Sequence, residues 1–98
     1  MFRHVALFLW QEGTTEEQQR TLMNALEELP DKIEGIRAYE FGADVAIGGN
    51  YDFAVVADFD DESGYLHYRD HEEHRALVER YVQPIAAERA SVQFQMRS

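Results

Sequence analysis

The side chains able to do chemistry crowd into one short stretch, His67, Tyr68, Asp70, His71 and His74. A histidine titrates near neutral pH and can accept a proton from carbon or oxygen. A tyrosine hydroxyl can hydrogen-bond an oxygen as negative charge develops on it. On an unbroken helix His67, His71 and His74 would share one face at i, i+4 and i+7. With Asp70 beside them they are candidate ligands for zinc, nickel or copper. The pattern is not the zincin motif, because His71-Glu72-Glu73-His74 sets its histidines three apart. Asp70 followed by Glu73 also reads as a helix start that would split His67 from the other two. An exposed polar helix start is therefore the better reading, and no metal or other cofactor is expected.

Other chemistries find less support. The 98 residues include no cysteine, which removes disulfides, thiolate metal sites and a thiol nucleophile. The acidic groups Glu16-Glu17, Glu27-Glu28, Asp58 to Glu62 and Glu72-Glu73 read as helix starts and solvated surface, without the loop spacing of an EF-hand. Gly48-Gly49 lacks the Lys and Ser/Thr of a phosphate loop. Nine basic against 19 acidic side chains give a formal charge of -10, which argues against nucleic acid as a partner. The longest apolar run, Val5 to Trp10, falls far short of a membrane span, and nothing resembles a signal peptide. A cytoplasmic protein of one domain over residues 1–98 is expected.

The elements that must carry these residues follow from periodicity. Phe2 to Trp10 reads as a strand with two mostly apolar faces. Thr14-Thr15-Glu16-Glu17 suggests a capping box from Thr14 to Glu17, opening a helix with Leu22, Leu26 and Leu29 on its inner stripe. Pro30 is expected to stop that helix at Leu29. Ile36 to Phe41 and Tyr51 to Phe59 read as the second and third strands, with Gly48-Gly49-Asn50 in the loop between. Asp60 to Ser63 starts a short helix, and Asp70 a second one with the stripe Leu77, Val78, Tyr81, Val82 and Ile85. Pro84 should end or kink it near Tyr81–Val82. Val92, Phe94 and Met96 alternate with polar residues in a last strand.

The order β-α-β-β-α-β is the ferredoxin-like, α+β pattern of a four-stranded antiparallel sheet with its helices on one face. The other face would be an exposed apolar patch, so an isologous homodimer with the sheets closed face to face is expected.

Several segments, taken together, carry a family resemblance. Arg3-His4-Val5-Ala6-Leu7-Phe8, Leu29 to Ile36, Gly42-Ala43-Asp44-Val45, Tyr51 to Val56, and Tyr68 with His71 to His74 and Arg80 to Pro84 are similar to the stress-responsive A/B barrel, or Dabb, family. The resemblance covers nearly the whole chain. It implies a dimeric α/β barrel with a pocket in each subunit between sheet and helices. Its members include plant stress proteins, bacterial proteins without an assigned role and a plant polyketide cyclase, so activity does not follow from fold. By resemblance to the cyclase, Tyr68 and His74 match an acid–base pair six positions apart, while Phe53 stands where the cyclase has a further pocket histidine. His4 matches the family's first-strand histidine. The expected pocket is His4, Tyr68 and His74 among apolar residues such as Phe53 and Leu77. Its expected use is to bind a small organic molecule. Cyclase or lyase chemistry on a carbonyl compound through His74 and Tyr68, and a purely structural stress protein, are the alternatives.

Overall fold

The computed structural model describes residues 1–97. The described residues form four strands and three helices. They are β1 (Phe2–Trp10), α1 (Glu16–Lys32), β2 (Ala38–Ala43), β3 (Phe53–Phe59), α2 (Glu62–Asp70), α3 (Glu72–Leu77) and β4 (Ala86–Gln95). A π-helical turn, Val78–Val82, continues α3. The strands form one antiparallel sheet in the order β2-β3-β1-β4, and the fold is the expected ferredoxin-like α+β arrangement.

Register sorts the side chains between two faces, since directly paired residues share a face. His4 pairs with Ala57 and Gln93, Ala6 with Val55 and Ser91, and Phe8 with Phe53 and Arg89. This set lies toward the helices, where Leu22, Leu26, Leu29, Phe53, Val55, Phe59, Tyr68, Leu77 and Val82 form the core. The opposite face carries Val5 between Val56 and Val92, and Leu7 between Ala54 and Ala90. Among the described residues nothing covers it, and Val92 and Phe94 are 56% and 44% exposed. At one end of this face Arg3 grips Asp58 through two hydrogen bonds of 2.7 and 2.8 Å.

Several element boundaries differ from the sequence expectation, each for a local reason. The cap of α1 is Thr15, whose hydroxyl accepts from the Gln18 N–H at 3.1 Å while Gln18 Oε1 accepts from the Thr15 N–H. The expected Thr14 instead donates its hydroxyl to the Gln11 carbonyl, tying down the preceding turn. Helix α1 does not stop at Leu29 but runs through Pro30 to Lys32. Burial of Leu29 and Ile33 favours the extra turn, and the Ile33 N–H closes it on the Leu29 carbonyl at 3.0 Å. Helix α3 is capped by His71, not Asp70: the His71 Nδ1 accepts from the Glu73 N–H at 3.0 Å, while Asp70 ends α2 and pairs with Arg69. Strand β3 begins at Phe53 because Asp52 bonds across to β1, its carboxylate accepting from the Trp10 N–H. Strand β4 starts at Ala86, well before Val92, and pairs along β1 as far as Trp10.

Candidate functional site

Between β1, β4 and α3 lies a cleft of about 360 Å³ lined by His4, Ala6, Phe8, His74, Val78, Arg89, Ala90 and Ser91. Strand alternation aims His4, Ala6 and Phe8 into it from β1, and Arg89 and Ser91 from β4. Helix α3 brings His74 over from the other side. The π-helical turn begins at Val78, where the Gln83 N–H reaches back five residues to the Val78 carbonyl at 2.9 Å. Such turns bulge the helix and recur beside functional sites.

Both imidazoles are fixed through the same atom. His4 Nδ1 donates to Gln93 Oε1 at 2.6 Å, and His74 Nδ1 donates to the Arg69 carbonyl at 3.1 Å. Each neutral ring therefore keeps its proton on Nδ1 and has Nε2 free as an acceptor. Burial holds both histidines below their usual pKa. For His74 the bond to the Arg69 carbonyl partly offsets this, while the neighbouring Arg89 guanidinium acts with burial. Both rings are neutral at neutral pH.

Tyr68 stands behind this pair and does not line the cleft. Its ring packs on His74 with centroids 4.3 Å apart and lies 6.0 Å from that of His4. Its hydroxyl is 2.8 Å from the Tyr39 hydroxyl, and it is almost fully buried. Burial pushes the Tyr39 phenol up to about 12 and the Tyr68 phenol further in the same direction. Neither supplies a phenolate, so Tyr68 can act on a ligand only through its ring against His74 or as a hydroxyl donor.

The other sequence-singled residues are more scattered. Phe53 and Leu77 are 2% and 6% exposed and belong to the core behind the cleft; Phe53 touches its wall through Phe8, ring centroids 6.3 Å apart. The His67 and His71 rings meet edge to face at 5.3 Å, but the break between α2 and α3 turns His71 to its capping role. Among the described residues no three His, Cys, Asp or Glu side chains converge as metal ligands. Arg89 and Ser91 were not anticipated. The signal for them is the period-two series Arg89, Ser91, Gln93, which faces the helices once β4 is extended back to Ala86. No described helix is long and apolar enough to cross a membrane.

The model of the Stress responsive A/B Barrel Domain (Dabb) family matches residues 2–96. No curated protein matches the sequence significantly. Among solved structures, the chain is similar to a dimeric ferredoxin-like protein of unknown function from Thermobifida fusca. Identity is 45% and the TM-score 0.87, with 97% of this chain and 90% of that one covered. A dimeric protein of unknown function and ferredoxin-like fold from Bacteroides fragilis is 28% identical with a TM-score of 0.83, covering 97% and 95% of the two chains. The hydroxynitrile lyase of Passiflora edulis shares the fold, with a TM-score of 0.86 over 98% and 93% of the chains, at only 10% identity.

Proposed function

Since this chain belongs to the stress-responsive A/B barrel domain family, we propose that its sheet–helix cleft binds a small organic molecule, in a homodimer whose open sheet faces close on each other. The observation that carries the binding reading is the cleft with two neutral imidazoles, each anchored at Nδ1 and each with a free Nε2. An apolar wall of Ala6, Phe8 and Val78 suits a flat or short aliphatic body, and the imidazoles suit a polar end. The dimeric relatives, and an apolar sheet face left open here, support the assembly.

The binding reading is tested by titrating acetophenone into ¹⁵N-labelled protein and following amide shifts. Shifts confined to the neighbourhoods of His4, His74, Val78 and Ser91, and lost in His74→Ala, are expected. Shifts elsewhere, or none at millimolar probe, would remove the reading.

One observation favours a catalytic use as well. The bond from His74 Nδ1 to a backbone carbonyl fixes the tautomer that a general base needs, with the lone pair on Nε2. His74 would remove a proton next to a carbonyl, with the Ser91 hydroxyl near the oxygen. Proton-transfer chemistry of this class would be compatible with the lyase neighbour's fold, which by itself assigns no activity.

A further inference from the structure

The cleft does not end at Ser91. A second hollow of about 480 Å³, lined by Arg69, His74, Arg75, Val78, Glu79, Gln83 and Arg89, shares His74, Val78 and Arg89 with it. The two form one channel, apolar at the β1 end and charged at the other, with Arg89 at the junction. That placement is unusual for this protein, which has nine basic residues in 98 and a formal charge of -10. Three of the nine, Arg69, Arg75 and Arg89, line the outer hollow.

The opposing carboxylates are few. Asp70 is held by Arg69 at 2.9 Å, and Glu79 is the remaining acid on the wall. Among the described residues Arg75 and Arg89 form no ion pair, whereas Arg3 and Arg37 are each clamped to an aspartate at 2.7 Å. Three guanidiniums against two carboxylates leave about one positive charge at the channel's outer end. Charges elsewhere on the acidic surface are damped over roughly 8 Å at physiological salt, so this local balance decides what binds. Arg89 and His74 line both hollows, so the guanidinium and the imidazole can face one ligand.

We propose that the channel selects an organic monocarboxylate, its apolar body against Ala6, Phe8 and Val78 and its carboxylate on Arg89 beside His74. This rests on the binding reading above and names the ligand class for it. A carboxylate matches the fork of a guanidinium and can accept two N–H bonds from it. One negative charge also matches the local excess, which the two charges of a phosphate monoester would exceed. His74 Nε2, unprotonated at neutral pH, stays available for a donor group on the body of the acid.

The test compares phenylacetate with its uncharged isostere phenylacetamide, by calorimetry and amide shifts at pH 7.5. Wild type, Arg89→Gln, Arg89→Lys and a surface control, Arg20→Gln, are measured. Wild type and Arg20→Gln should bind the acid about ten-fold or more tighter than the amide. Arg89→Gln should reduce the gap to about two-fold or less, and Arg89→Lys should keep part of it. Equal binding of acid and amide by wild type, or an undiminished gap in a folded Arg89→Gln, overturns the proposal. Tighter binding of phenyl phosphate than of phenylacetate overturns the carboxylate assignment. Shifts at His4 and His74 with acetophenone, but no preference for the acid, would sink this inference and leave the cleft reading standing. No shift there with any probe sinks both.

Discussion

A histidine that donates Nδ1–H to a fixed backbone carbonyl can offer only Nε2 to a substrate, and only while unprotonated. In His74 that state extends below the ordinary histidine pKa of 6.5, because burial and neighbouring positive charge disfavour the imidazolium. If His74 acts as a base, exchange of the methyl protons of acetophenone for deuterium should rise with pH. It should reach half its plateau below pH 6.5 and stay flat through pH 8, following the neutral fraction of a lowered pKa. A midpoint above 6.5 would mean that another group is the base. The Tyr68–Tyr39 pair stays protonated throughout this range and should add no upper limb to the profile.

At the scale of elements, helix caps show where sequence patterns mislead by one residue. Thr14-Thr15-Glu16-Glu17-Gln18 contains two overlapping capping boxes, and only the surrounding turn chooses between them. Thr14 is drawn to the Gln11 carbonyl, so Thr15 and Gln18 close the helix. Thr15→Ala should cost about 1 kcal/mol in chemical denaturation. Glu17→Ala, whose side chain has no part in the cap, should change stability by under about 0.5 kcal/mol. Strand β3 and the leucine stripe of α1 were legible from a clean period of two or 3.6, and β1 from a short run of β-branched, aromatic and aliphatic residues. Strand β4 was half legible: Val92 and Phe94 alternate with polar residues, but Ala86 to Ser91 carry edge-strand polarity and look like loop. With them Arg89 was missed, since its position on the cleft depends on pairing with Phe8, more than 80 residues away in sequence. The same long-range dependence separates Phe53 and Leu77 from the cleft wall. Apolar residues next to a site and apolar residues on it have the same pattern in one dimension.

For the whole molecule, the open sheet face sets the state of assembly. Val5, Leu7, Ala54, Val56, Val92 and Phe94 form a continuous apolar surface, and its burial by a second copy would outweigh the repulsion of two chains at -10 each. Light scattering at about 10 μM should give twice the chain mass for wild type. Val5→Asp, which places a charge at the centre of that face, should give a single chain with its helical circular dichroism intact. A wild-type monomer at that concentration would contradict the assembly. The strand order has a separate consequence for how the protein behaves in solution. Strands β2 and β4 are the margins of the sheet, and β4 presents ten residues of backbone whose outer hydrogen-bonding groups have no partner strand among the described residues. Such a margin is a template for uncontrolled strand addition. What opposes such edge pairing is colloidal repulsion from the acidic surface, which vanishes near pH 4.6. Acidification toward that pH is therefore expected to raise turbidity while circular dichroism still reports a folded core.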